Sequence, residues 1–352
     1  MSFIERRGFY RSLFFAVLFA VIVLGVFVST QGAADISFIT AVKILIRNIP
    51  VFGEAFVKEE TLSNHETIMM NIRLPRIILS AVIGMGLSVV GAVFQGMFKN
   101  PMADPYIVGV SSGAALGASI AIVFGGASVF GAYLSVQFAA FLGAVLTVVC
   151  VYQIARVGTR IPSVTLLLAG VAVSSMASAV ISVLMIFNRD QADSIIFWTM
   201  GSVSAARWEQ VGYLLPVVLS GTMIIMIFAK DLNLMMAGDD TAHNLGVEID
   251  KAKKILLMVS SLMIAFIVSS SGIIGFVGLI VPHAVRLLLG PDHRVLIPFS
   301  ALGGAVFMII CDTIARTLLA PMEIPVGAIT ALFGAPYFIF LLNKTKKRGT
   351  SS

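Results

Sequence analysis

The chain has 352 residues, 58% of them hydrophobic and 12% charged, with a mean hydropathy of +1.00 and a formal net charge of +6. A soluble domain cannot hide that much apolar surface, so an integral membrane protein is expected. The positive balance does not indicate nucleic acid, because the 24 Lys and Arg lie between apolar runs and at the tail without interleaved aromatics, and the two cysteines, Cys150 and Cys311, sit inside apolar runs without metal-ligand spacing.

Crossing a hydrocarbon core of about 30 Å takes about 20 apolar residues. On that rule the chain reads as one all-α polytopic membrane domain, residues 1–352, with ten spans at about 9–30, 76–97, 106–125, 132–155, 163–187, 209–229, 254–271, 273–290, 295–318 and 324–342. Arg6, Arg7 and Arg11 precede the apolar run Leu13 to Val28, which exceeds the usual signal-peptide length, so an uncleaved first span is expected despite Gly32-Ala33-Ala34. The connection 31–75 holds an amphipathic stretch near Ile36 to Ile46 and the acids Glu54, Glu59, Glu60 and Glu66. Small residues crowd the turn FKNPMADP between the second and third spans, Gly84, Gly86, Ser88 and Gly91 before it and Gly109, Ser111, Ser112 and Gly113 after it. They let helix backbones approach closely in lipid. Between the fifth and sixth spans, Trp198 and Trp208 are expected to anchor at headgroup level.

The segment 230–254 reads KDLNLMMAGDDTAHNLGVEIDKAKK. Two short amphipathic turns bracket Gly238, and Leu232, Leu234, Met235 and Met236 at helical spacing want a burial partner. A docking surface for a cytoplasmic subunit is favoured over a solvated linker. The break between the seventh and eighth spans, near Ser269 to Gly272, is weak in hydropathy, and charge decides it. With ten spans and a cytoplasmic N-terminus, sixteen Lys and Arg fall inside and eight outside, which places both termini in the cytoplasm. Merging the two spans would carry Arg286, Arg294 and the cluster Lys344 to Arg348 outside.

Spans 2–5 and 7–10 are offset by five, so a duplicated unit would be inverted in the membrane, an arrangement common in transporters. A faint echo sets Val110-Ser111-Ser112-Gly113 against Val268-Ser269-Ser270-Ser271-Gly272, the latter read as opening the eighth span. The chain has no GxxxxGK[ST] loop, HExxH or nucleophile elbow. Its spans are nearly free of ionisable groups, the best candidates being Asp312 and Arg316, read as an i, i+4 pair. The chain is therefore no enzyme, binds no cofactor or metal, and takes its energy from elsewhere. An ion-coupled carrier acting alone is the alternative.

Several segments together resemble the FecCD-type permeases, membrane subunits of binding-protein-dependent ABC importers for ferric siderophores, haem and vitamin B12. They are RLPR at Arg73 to Arg76, GAVFQGMFKNPMADPYIVGVSSGAALGA at Gly91 to Ala118, LLLAGVA at Leu166 to Ala172, GFVGLIVPHAVR at Gly275 to Arg286, DHRVLIP at Asp292 to Pro298 and EIPVGAITALFGAPYFIFLL at Glu323 to Leu342. The resemblance implies a ten-span homodimer in the cytoplasmic membrane of a prokaryote, with two ABC ATPase subunits that carry ATP and Mg, and an extracytoplasmic substrate-binding protein. It implies that Arg73, Arg76 and Arg316 receive acids of that binding protein, and guanidinium is a rigid, always charged partner for carboxylates. It further implies ATPase coupling at Ala237, Gly238, Asp239, Asp240, Thr241, Ala242, Leu245 and Gly246, and a cytoplasmic gate at Ser163 and Val164, where the hydroxyl pair of some relatives is absent. The path would be lined by Ser111, Ser112, Ser174, Ser175 and Met176, and the expected cargo is a metal chelate, foremost a ferric siderophore.

Overall fold

The computed structural model describes residues 6–32, 34, 36–48, 63–125, 132–158 and 162–349, and the regular elements among them are helices. In chain order they are α1 (Arg7–Thr30), α2 (Phe38–Arg47), α3 (Ser63–Ile68), a π turn (Met69–Arg73) running into α4 (Leu74–Met97), α5 (Val110–Phe124), α6 (Ala132–Ala155) and α7 (Ser163–Phe187). There follow α8 (Arg189–Thr199), α9 (Trp208–Ile227), α10 (Ala229–Met236), α11 (Asp239–Asn244), α12 (Ile249–Ser271), α13 (Val277–Leu289), α14 (His293–Thr317) and α15 (Val326–Gly349). Seven of these are long and apolar enough to cross a membrane and three more, at Val110–Phe124, Val277–Leu289 and Val326–Phe340, are shorter apolar helices. Together they match the ten predicted spans.

The helices pack as two four-helix units, α4–α7 and α12–α15, and the packing of each repeats in the other. α5 lies on α6 and α7 as α13 lies on α14 and α15, α6 meets α7 as α14 meets α15, and the first helix of each unit crosses to the other: α4 packs on α13 and α14, α12 on α5 and α6. An odd offset of five crossings makes this repeat inverted. The serine echo does not mark it, however. Val268 to Ser271 close α12, and Gly272 follows that helix rather than opening the next. The equivalent positions are Gly109 and Phe276, each left-handed (φ 82° and 68°) and each the residue before the short helix of its unit. Glycine takes this conformation freely, whereas phenylalanine is strained there. The Phe276 ring is accommodated by Gly334 on α15, where a Cβ would overlap it.

The two short helices have 15 and 13 residues, about 22 and 20 Å at 1.5 Å per residue, less than a bilayer core. Each crossing is completed by non-helical chain, 98–109 in one unit and 272–276 in the other, which is tolerable at depth only where protein surrounds it. The two stretches meet. Tyr106 Oη donates to Ile274 O at 3.0 Å and accepts from Ile274 N at 3.3 Å. Nearby, Pro282 in α13 has no N–H for the Gly278 carbonyl, and the buried amide of Gln95 on α4 donates to Leu279 O at 3.1 Å and reaches Gly278 O at 3.4 Å. The helices can approach this closely because the crossings are glycine on glycine. A Cβ on Gly84 would fall on the Gly304 carbonyl, and one on Gly91 on that of Gly278.

Candidate functional site

At the end of the bundle holding Arg73, the three arginines expected to face a partner are engaged inside the chain. Arg76 is buried and forked onto Asp312, with Nε 3.1 Å from both carboxylate oxygens and Nη2 2.9 Å from Oδ1, while Nη1 reaches Glu323 at 2.8 Å. Asp312 therefore pairs across the bundle with Arg76 and not with Arg316 four residues on. Arg316 is drawn instead to the end of α1, donating to Val28 O and Gln31 O at 2.7 Å each, and Arg73 donates to Ser29 O at 2.7 Å and Ala34 O at 2.6 Å. The last carbonyls of a helix lack partners and carry the negative end of its dipole, so two guanidinium groups there satisfy both hydrogen bonding and charge. Gly32 lies in this clasp; a Cβ on it would stand 3.0 Å from Arg73 Nη2 and 3.2 Å from Arg316 Nη1. Of the three, Arg316 alone is half-buried rather than buried.

Nearby, α2 begins at a Ser37 cap and confirms the amphipathic helix expected around Ile36 to Ile46. Glu54, Glu59 and Glu60 lie outside the described residues. Trp208, 42% exposed, donates its indole N–H to Met70 O at 2.8 Å, whereas Trp198 turns inward onto the core and lines a cavity. The expectation of headgroup anchoring fails for Trp198 because α8 folds back over the bundle, packing on α5 and α7.

At the opposite end, the segment 230–254 folds into the two expected helices around Gly238, which adopts φ 127°. Leu232 and Met235 are fully buried against the chain's own core, as is Ala242, so the expectation that they await a partner is corrected. Among the residues this loop leaves exposed are Leu245 (62%) and Met236 (40%), with Ala237, Asp240, Thr241 and Gly246. The loop is bolted to three long helices. Asp239 accepts from Lys99, at the end of α4, at 2.6 Å and from Lys253, on α12, at 2.8 Å. Partial burial works to raise its pKa, but the two lysine hydrogen bonds outweigh that and hold the carboxyl below the ordinary aspartate range. Asn233 of α10 donates Nδ2 to Asp292 Oδ1 at 2.7 Å, the N-cap of α14. A carboxylate only accepts, so Asn233 Oδ1 faces the other way and receives the backbone N–H and Nδ1–H of His293, both at 2.8 Å. Lys99, Lys253, Asn233, Asp292 and His293, which fasten the segment, carry no local sequence signal for these contacts, although FKNPMADP and DHRVLIP contain three of them.

The remaining expected residues sit on or beside α7. Ser163 is half-buried at its start and Val164 is 69% exposed; residues 159–161 before them are outside the described residues. Met176 is 62% exposed, Ser175 exposed and Ser174 half-buried against Gly109, where a Cβ would stand 3.1 Å from its Oγ. Ser111 is buried and Ser112 half-buried. In the single chain α7 thus presents an apolar face, Val164, Leu168, Val171 and Met176, that no other part of the described chain covers.

The family model described as the FecCD transport family matches residues 13–344. The cobalamin import system permease protein BtuC of Halobacterium salinarum is 49% identical over 80% of this chain and 75% of that protein. The hemin transport system permease protein HmuU of Yersinia pestis is 40% identical over 80% and 84%. The iron(3+)-hydroxamate import system permease protein FhuG of Bacillus subtilis is 35% identical over 94% and 96%. Among solved structures, a metal-chelate type ABC transporter in an inward-facing conformation aligns with a TM-score of 0.80 at 29% identity, covering 95% of this chain and 99% of that one.

Proposed function

This chain belongs to the FecCD transport family, permease subunits of ABC importers, and from that premise we propose that two copies form a path for a metal chelate, driven by ATPase subunits on the Lys99 side and fed by a binding protein on the Arg73 side. The observation that carries this reading is the bolted helix pair α10–α11: it exposes an apolar tip to a partner and connects that tip by the ion pairs of Asp239 to α4 and α12 and by the hydrogen bonds of Asn233 to α14. A push on Leu245 is thereby delivered to the helices that hold the two repeats together. The uncovered face of α7 supports a second copy as its cover, with Val164 at the inner gate and Ser175 and Met176 along the path. Docking of the binding protein falls to the rim around the half-buried Arg316, which Arg73 and Arg76 hold in place. Orientation follows the charge asymmetry, with both termini in the cytoplasm.

The cargo is a bulky chelate. The family resemblance favours a ferric siderophore, while the 49% identical relative is named for cobalamin, a reading that stands beside it. Uptake into proteoliposomes holding the chain with its ATPase and binding protein, compared for a ferric hydroxamate, haem and cobalamin, decides between them. Uphill uptake without nucleotide would overturn the permease reading. In the same assay Leu245→Asp is expected to lower ATP-driven uptake at least about tenfold, the effect of losing one apolar anchor of 1.4 kcal/mol or more, with binding-protein docking unchanged. Unchanged uptake in that variant would remove the loop from the coupling path.

A further inference from the structure

Between the ends of α4, α5, α6, α9 and α12 and the C-terminal half of α8 lies a cavity of about 260 Å³, inside one chain and distinct from the arginine clasp, the coupling loop and the open face of α7. Its chemistry is one-sided. Six serines and the amides of Gln137 and Gln210 lie on it, no ionisable side chain does, and the rest of the wall is apolar, with the Trp198 and Phe197 rings and Leu79. Several polar groups are already used: Gln210 Nε2 donates to Ser270 O at 3.3 Å, Ser270 Oγ pairs with Tyr213 Oη at 2.9 Å, and Ser202 Oγ donates to Ser204 Oγ at 2.9 Å. Gln137 Nε2, by contrast, is buried without an acceptor among the described residues.

The mouth is open, with Phe197 63% exposed and Ser194, Ser202 and Ser204 at the rim, and a charged ligand meets no counter-ion on the wall. A neutral ring with one apolar face and hydroxyls on its edge meets both halves of the wall and gives Gln137 the acceptor it lacks. We propose that this cavity is a binding site for an uncharged polyhydroxylated ring of monosaccharide size, held between the Trp198 side and the Gln137 amide. Its position, joining α8 to the ends of α4 and α12, means that an occupant braces that end of the bundle. Access from outside the cell rests on the orientation proposed above; the site itself does not.

The chain holds two tryptophans, so Trp208→Phe leaves Trp198 as its single indole reporter. With this variant reconstituted alone in liposomes, myo-inositol is expected to shift the indole emission saturably. Half-saturation is expected in the millimolar range, from about a dozen atoms at about 0.3 kcal/mol each. Glucuronate should produce no shift. Gln137→Leu should abolish the response, and Ser204→Leu, at the exposed rim, should weaken it severalfold should the first variant fail to insert. Chelate uptake by the assembled importer should be unchanged in both, so failure here is separable from failure of the permease reading. No saturable shift, an equal shift with glucuronate, or a response that survives both substitutions overturns the site.

Discussion

Asp312→Ala is expected to be among the most damaging single substitutions in the chain, costing about 3–5 kcal/mol of stability, because it leaves the Arg76 guanidinium buried with its main counter-charge gone. Glu323 remains 2.8 Å from Nη1 but is 42% exposed, and a pair so open to solvent contributes little. Desolvation, not the strength of the pair, sets the size of the effect. Hence the double variant Arg76→Met with Asp312→Leu, which leaves no buried charge, should recover most of the loss. Unfolding in mixed micelles measures both. A stable Asp312→Ala protein would show that the pair is no strut between α4 and α14. The same double variant separates structure from recognition: if it is stable and still docks the binding protein with parental affinity, Arg76 acts through the fold, and if it is stable but no longer docks, Arg76 contacts the partner itself. The burial of Arg76 makes the first result the expected one.

Much of this architecture is legible in the sequence, and the parts that are not share a cause. Ten apolar runs and the distribution of Lys and Arg suffice for the spans, since length and charge act locally. The predicted third and eighth spans come out longer than α5 and α13 because 106–109 and 273–276 are apolar and hydropathy does not distinguish helix from buried non-helical chain; Pro105, Gly109, Gly272 and Gly275 are the local signals that the helix stops short. Asp312 looks like a partner for Arg316 when only i, i+4 neighbours are considered. Its true partner lies 236 residues away, and only the crossed packing of the inverted repeat, which sets α4 against α14, brings the two together. Leu232 and Met235 fail similarly: their spacing marks an apolar face without saying what covers it. The bonds of Arg73 and Arg316 to the end of α1 are not legible in the sequence, because the capping need of α1 appears only once α1 is placed beside α14.

Substituting Gly91 should be as costly by a different route. Its missing side chain is what lets α4 touch the start of α13, and a Cβ there would occupy the position of the Gly278 carbonyl, which is backbone and cannot swing aside. Gly91→Ala must therefore push α13 away. That also draws Gly278 O and Leu279 O from the Gln95 amide, and Gly278 O has no alternative donor because Pro282 lacks an N–H. Overpacking costs about 1–3 kcal/mol and an unpaired buried carbonyl about 1–3 kcal/mol more, so Gly91→Ala is expected to cut the yield of folded permease at least tenfold and Gly91→Leu to abolish it. Gly212→Ala on α9, where nothing lies within 4 Å of the added carbon, is the matched control and should be harmless. Equal yields of the Gly91→Ala and Gly212→Ala proteins would mean that α4 and α13 are not held at this distance. Because the crossing adjoins the Tyr106–Ile274 contact between the two non-helical stretches, any Gly91→Ala protein that does insert should also lose ATP-driven uptake more steeply than it loses stability.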